Sequence, residues 1–243
     1  MKIESATNVG RIRSTNQDTY DGGIFNDSAA WAVICDGMGG ANGGSVASSL
    51  ALSTIKKHIL ETYTDDISKG DIKSMIINAI NKANQKVFQT AREKPELFGM
   101  GTTVVVMIAK SDELYVAHVG DSRAYMKKKD ILEQLTVDHS FVQNLIDFGQ
   151  ITEIEAKTHP KRNIITRAVG VHENVRADYS VFDFEKGSSV IACSDGLTNY
   201  ASNEILNGFM DKYKGKELVN NLIEFAIQSG GSDNITVVLL SNK

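Results

Sequence analysis

Two apolar runs in this chain stop on the same dipeptide. "VICDG" at 33–37 and "ACSDG" at 192–196 each climb through apolar residues to an aspartate followed by glycine. A run that is apolar at consecutive positions, rather than at every second one, reads as a strand covered on both faces, which requires a layer above it and a layer below. Its end is a turn, where Asp and Gly tolerate tight backbone geometry. The same two residues also leave a carboxylate and a bare stretch of backbone at the edge of a sheet.

The rest of the chain supplies those layers. Ala47, Ala51, Ile55 and Ile59 stand four apart within 45–60, and Ile72, Ile76, Ala79 or Ile80, Ala83 and Val87 form one stripe within 71–91, so both segments read as amphipathic helices. The period then changes: "TTVVVMIA" (102–109), "ELYVAHVG" (113–120) and "SRAYM" (122–126) read as adjacent strands of an antiparallel sheet. Further strands are expected at 188–196 and 234–240, with helices near 203–212 and 216–229 between them, the second stopped by Gly230 and Gly231. Segment 138–170 reads as an irregular excursion. Asp138 or Ser140 caps a short helix over 141–148, Gly149 ends it, and "TEIEA" starts another helical turn before Pro160. Helices, strands, helices and strands in blocks predict α+β layers with sheets between helical layers. With two prolines and no low-complexity tract, nothing divides residues 1–243 into separate domains.

Charge and composition narrow the function. A net charge of −4 gives no electrostatic case for nucleic acid or an anionic membrane surface, so any phosphate must be met by a local site. No window reaches the roughly 20 apolar residues of a membrane span, and the N-terminal stretch lacks the apolar centre of a signal peptide. The cytoplasm is the expected compartment. Cys35 and Cys193 lie inside apolar runs and read as free buried thiols.

A third aspartate stands in "GGSDN" (230–234), just before a strand, and two more in "VGDSR" (119–123) and "NQD" (16–18). If they gather at one rim, their mutual repulsion calls for a cation. Carboxylate and carbonyl oxygens suit Mg²⁺ or Mn²⁺, whereas the histidines show no helical ligand spacing and two cysteines cannot build a thiolate zinc site. The glycines after Asp36 are neither a Walker loop nor a complete G-x-G-x-x-G, but they let backbone approach a metal or a phosphate. Arg13, shortly before Asp18, offers a planar fork for phosphate oxygens, or is simply a solvated surface arginine.

Taken in order, Arg13 with "NQD" (16–18), "CDGMGG" (35–40), "GTT" (101–103), "VAHVGDSRAY" (116–125), "LTVDHS" (135–140), "ITRAVG" (165–170), "CSDGLT" (193–198) and "GSDNITVVLL" (231–240) resemble the metal-dependent serine/threonine protein phosphatases of type 2C, the PPM family, in its compact bacterial form. The resemblance covers nearly the whole chain. It implies a four-layer α-β-β-α sandwich, two central antiparallel sheets flanked by helices, with a flap at about 138–170. It also implies two or three Mn²⁺ or Mg²⁺ ions: Asp36 bridging two metals, Asp195 and Asp233 completing one site with it, the Gly37 carbonyl serving the other, Asp18 holding metal-bound water from behind, and Asp121 pairing with Asp195 at a third site. Arg13 would hold the phosphate.

The implied reaction is attack of metal-activated water on the phosphorus of phosphoserine or phosphothreonine, in line with the leaving oxygen and without a covalent phosphoenzyme. Partners would be phosphoproteins, including a cognate serine/threonine kinase that the enzyme opposes. Three positions depart from the family pattern. Met38 replaces the His that many relatives use to protonate the leaving alkoxide, which a thioether cannot do; His139 is one other proton donor to consider. Asn199 stands where relatives often carry an acid, and Gln17 where eukaryotic members have Glu. Two further readings remain: a catalytically weak regulatory module that binds phosphoproteins, and a metal-dependent hydrolase of small phosphoesters.

Overall fold

The continuous apolar run at Ala29–Cys35 has both faces covered, and its parity decides which residues face which layer. The computed structural model describes the backbone of residues 1–243 and the side chains of all but residues 41 and 42. One antiparallel sheet has the order β2 (Asp18–Asn26), β3 (Ala29–Met38), β5 (Val104–Lys110), β6 (Glu113–Val119) and β9 (Asp178–Asp183), with the short β4 (Gly101–Thr102) pairing with the end of β3. The second has the order β1 (Lys2–Asn8), β11 (Ile235–Ser241), β10 (Ser189–Cys193), β7 (Arg123–Lys128) and β8 (Ile131–Gln134).

The two sheets pack face to face. Ala30, Ala32 and Ile34 of β3 join Val105, Met107, Val190, Ala192, Val238 and Leu240 in the core between them. The alternate residues Trp31, Val33 and Cys35 turn the other way, against α1 (Gly40–Thr62) and α2 (Lys69–Glu93). On the far side, Ile191, Cys193, Val237 and Leu239 pack under α6 (Asn203–Lys212) and α7 (Gly215–Gln228) with Leu206, Leu218 and Leu222. The result is the expected α-β-β-α order, and both cysteines are buried free thiols.

The helices follow their stripes. Ile72, Ile76, Ile80, Ala83 and Val87 of α2 are all buried, and Ser68 caps its start by accepting from the Asp71 amide at 3.2 Å. Within 138–170, α3 (Phe141–Asp147) is capped by Ser140 rather than by Asp138, which is drawn off into an ion pair with Arg123. Gly149 follows in a left-handed conformation, and α4 (Glu153–Thr158) starts on a Thr152/Glu155 capping box.

One expectation needs correcting. The strand beginning at 122–126 is not a neighbour of the one at 113–120: β6 pairs with β5 and β9, whereas β7 pairs with β10 and β8 in the other sheet. The chain changes sheets at Gly120–Ser122. Residue pattern alone does not distinguish a hairpin from such a crossing, because both need a short polar corner between apolar runs. The crossing places Asp121 at the open end of the inter-sheet core.

Candidate active site

The acids collect where the inter-sheet core runs out. Asp36 has the parity of Ala30, Ala32 and Ile34, so it continues the inter-sheet face of β3 at its rim. Asp18, at the start of β2, is its direct partner across the ladder. Ser194 continues the Val190–Ala192 face of β10, and Thr236 the face of β11 that carries Val238 and Leu240. Both hydroxyls donate to Asp18 Oδ2 at 2.7 Å, so residues of one sheet hold an acid of the other. Asp18 Oδ1 is buried with no hydrogen-bond partner.

Backbone clamps fix Asp36. Its N–H donates to Thr103 Oγ1 at 3.0 Å, and its carbonyl accepts from the Thr103 amide at 2.9 Å and from Thr102 Oγ1 at 2.8 Å. Gly37 then passes under the start of α1, where a Cβ would lie 2.1 Å from the Gly44 carbonyl oxygen. No residue with a side chain fits there without moving backbone.

Asp233 precedes β11, and its neighbour Asn234 organises the opposite wall. Asn234 Oδ1 accepts from the Gln17 amide at 2.8 Å, while Nδ2 donates to the carbonyls of Val9 and Thr15 at 2.9 Å each. These bonds tether the loop that carries Arg13. Arg13 Nη2 donates to Asp233 Oδ2 at 2.8 Å, which raises the pKa of the guanidinium. Asp195 opens the one-turn helix α5 (Asp195–Thr198), and Asn199 Nδ2 donates to its Oδ2 at 3.2 Å. Asn199 therefore supports a carboxylate instead of adding one.

Arg13, Asp36, Gly37, Met38, Asp121, Asp195 and Asp233 all line one cleft of about 670 Å³, with Asp18 behind it. Asp36, Asp121 and Asp195 keep some surface open to the cleft, yet lie deep enough that lost hydration is the largest influence on each. Burial, with Asp18 and Asp195 as nearby charges, pushes Asp36 well above the usual carboxylate range. Burial, followed by the charge of Asp233, raises Asp195 to about 6 even though Asp36 donates a hydrogen bond to it. Asp121 rises to about 7 through burial and the charge of Asp195. Asp18 rises to about 6 through burial, opposed by its two hydroxyl donors. So many carboxylates held against their own repulsion, with one buried oxygen unpartnered and only oxygen donors at hand, fit hard divalent cations.

His139 does not line this cleft. Its ring is buried 7% exposed beneath the Gly120 corner and its Nδ1 accepts from the Gly120 amide, so it is out of place as a proton donor to a leaving group. Several contributors were not legible beforehand. Thr102, Thr103, Ser194, Thr236 and Asn234 bear no charge and act through backbone or carboxylate contacts, and Asn163 and Ile165 reach the cleft from the excursion at 138–170. The strings "GTT", "ITRAVG", "CSDGLT" and "GSDNITVVLL" carry most of these residues, but they indicate position without role.

A family model described as protein phosphatase 2C matches residues 11–239. The chain is 37% identical to the serine/threonine phosphatase stp of Listeria monocytogenes over 243 residues, covering 99% of this chain and 95% of that one. A serine/threonine phosphatase of S. agalactiae superposes with a TM-score of 0.92 at 33% identity, over 100% of this chain and 99% of the other. The catalytic domain of serine/threonine protein phosphatase PstP, solved in complex with 2 manganese ions, gives 0.85 at 31% identity over 98% and 96% of the two chains.

Proposed function

Because this chain belongs to the protein phosphatase 2C family of metal-dependent serine/threonine phosphatases, we propose that its reaction runs in the cleft at Asp36. The observation that carries this reading is the gathering of Asp18, Asp36, Asp195 and Asp233 beside Arg13 at one rim of the two sheets. We assign Asp36, the Gly37 carbonyl, Asp195 and Asp233 to two divalent ions, and Asp121 with Asp195 to a third. Mn²⁺ and Mg²⁺ suit that donor set. When bound, such ions lower the pKa of water toward neutrality and offset charge on phosphoryl oxygens.

The chain's own residues do the rest. Arg13 stands at the mouth of the cleft, where its fork can take two phosphoryl oxygens and turn the phosphorus toward the acids. Asn234 keeps the Arg13 loop and Asp233 in one frame. Thr103 holds the backbone on which Asp36 is mounted. Asp18 Oδ1 accepts from water within the acid cluster, since its other oxygen is already committed to Ser194 and Thr236. Met38 gives no proton, and Asn163 and Ile165, the cleft residues from 138–170, are not acids. With the carboxylates of the cleft committed to metal on this assignment, the leaving serine or threonine oxygen collects its proton through water.

We read residues 1–243 as one catalytic domain with 138–170 as its flap. Its substrates on this reading are phosphoserine and phosphothreonine proteins in the cytoplasm, a cognate serine/threonine kinase among them. The non-catalytic binding module is not favoured, because every acid assigned to metal is present and in the cluster. A phosphothreonine peptide incubated with wild type and Asp36→Asn, each with and without Mn²⁺, tests the assignment. Release of phosphate by wild type should need the metal, and the variant should be slower by about three orders of magnitude. Equal rates in the two proteins would sink it.

A further inference from the structure

Behind the Asp121 corner lies a second polar cluster that the reaction does not use. His118 and Asp178 are register partners on β6 and β9, and the ring of His139 stacks on that of His118 at 4.6 Å with 14° between planes. Ligand-capable atoms of His118, His139 and Asp178 lie within 4.8 Å of one another. The cluster is nevertheless not built for a cation. Nearly parallel stacked rings cannot aim their in-plane lone pairs at one point, and His118 Nε2 already donates to the Val137 carbonyl at 2.8 Å. The positive charge is supplied from within, by Arg167, whose Nη1 donates to Asp178 Oδ1 at 2.8 Å.

His139 is the centre of this arrangement. The Gly120 amide donates to its Nδ1 at 3.0 Å, and its own amide donates to the Gly120 carbonyl at 2.9 Å. A neutral imidazole has one nitrogen lone pair, so with Nδ1 accepting, Nε2 carries the proton and donates to Asp178 Oδ2 at 3.2 Å. Arg167 Nη1 also stands 2.8 Å from Nε2, but it has Asp178 and the Arg176 carbonyl as acceptors, whereas Gly120 is fixed. Gly120 has φ +106, and a Cβ there would lie 2.6 Å from Thr103 Cγ2, so only glycine lets the corner pack this closely against the clamp on Asp36. On the other side, Thr166 donates its amide to the His139 carbonyl at 2.8 Å, and Ser140 bridges to Ile165, which lines the cleft.

We propose that His139 is a positioning residue with two separate arms: its Nδ1 lone pair sets the Gly120–Asp121 corner, and its Nε2 proton sets the Asp178–Arg167 pair that anchors the 163–167 stretch over the cleft. One buried ring thereby places a metal-facing carboxylate and a substrate-facing segment in the same frame. The metal half of this inference rests on the assignment of Asp121 above. Burial keeps the ring neutral, lowering its pKa to about 4, so the arrangement persists through the neutral range.

Asparagine and glutamine separate the arms, because the Asn amide oxygen falls near Nδ1 and the Gln amide nitrogen near Nε2. In His139→Asn the Gly120 amide should keep its slow hydrogen exchange and the Mn²⁺ midpoint of activation should stay within about twofold. Its KM for a phosphothreonine peptide should rise about five- to tenfold, the loss of one buried hydrogen bond. In His139→Gln, Gly120 exchange should accelerate about tenfold and the Mn²⁺ midpoint should rise severalfold, with KM within about twofold. Both variants losing the same parameters in the same proportion, or neither altering exchange or KM, overturns the two-arm role.

Asp178→Asn, at a half-exposed site, repeats the Nε2 arm if the histidine variants do not fold. It should raise KM and leave Gly120 exchange unchanged; an unchanged KM there also overturns the proposal. Asp121→Asn is the control for the metal assignment. If it leaves the Mn²⁺ midpoint unmoved, that assignment fails, while Gly120 exchange in the Asn and Gln variants still decides the role of His139.

Discussion

Asp18 and Asp36 face each other as direct partners across the β2–β3 ladder, two acids in a position where sheets ordinarily place opposite charges or apolar pairs. Burial, and after it the charge of Asp18, raises the pKa of Asp36, so the pairing is costly. The fold tolerates this at the rim of its core because Ser194 and Thr236 donate into it.

Asp36→Asn should therefore separate stability from activity. At a pH above the raised value of Asp36, where its carboxyl is forced to ionise, Asn removes one charge from the crowded rim, so the metal-free variant should there melt about 2–4 °C higher than metal-free wild type, the equivalent of about 1 kcal/mol. It should lose the further rise in Tm that Mn²⁺ gives wild type. Thermal unfolding with and without Mn²⁺ reads both effects, and a variant that melts lower without metal while keeping its Mn²⁺ shift contradicts the account.

Acidity should act oppositely on the free and the metal-loaded protein. In the unfolded chain these carboxyls titrate near 4, whereas in the fold Asp18 and Asp195 titrate at about 6 and Asp121 at about 7. Between those values the folded chain binds more protons than the unfolded one. The stability contributed by these raised groups is thus full below about 4 and drains as pH rises through 6 to 7. Mn²⁺ binds the charged forms, so its increment in Tm should be large at pH 8 and shrink steadily toward pH 5. An increment independent of pH over that range would contradict the raised values.

If Arg13 holds the phosphate as proposed, Arg13→Ala should raise KM for a phosphothreonine peptide about tenfold or more, with a smaller change in kcat. Arg13→Lys should recover only part of the loss, since an ammonium lacks the fork. Steady-state kinetics on both variants reads this, and a lysine variant equal to wild type would reduce Arg13 to a point charge.

Met38→His places an ionisable ring where the thioether now lines the cleft. It should raise kcat for a phosphoserine peptide about tenfold, while leaving p-nitrophenyl phosphate nearly unchanged, because that phenolate leaves without a proton. Equal gains on both substrates would show that proton supply is not what methionine withholds.

Gly37→Ala meets the Gly44 carbonyl at 2.1 Å, a backbone obstacle that cannot rotate away. The cost should be about 2–3 kcal/mol, a fall in Tm of about 4–10 °C, together with weakened Mn²⁺ activation. A melting temperature within a degree of wild type would mean that the strand end is looser than its contacts require.

The chain itself determined the layers and the chemistry of the rim. Continuous apolar runs demanded cover on both faces, stripes at helical spacing supplied it, and oxygen donors without thiolates or paired histidines pointed to hard cations. These properties are local: each depends on residue type and spacing within a few turns or strands. Tertiary structure alone decided which sheet β7 joins, that Asp121 rides on the crossing, and that Asp18 and Asp36 are partners. It also decided that His139 serves a backbone corner instead of a leaving group, and that Asn234 holds a loop more than 200 residues away in sequence. Neutral side chains acquire such roles only from the groups brought against them, and an acid's proton affinity depends on burial and neighbouring charge that no spacing along the chain encodes.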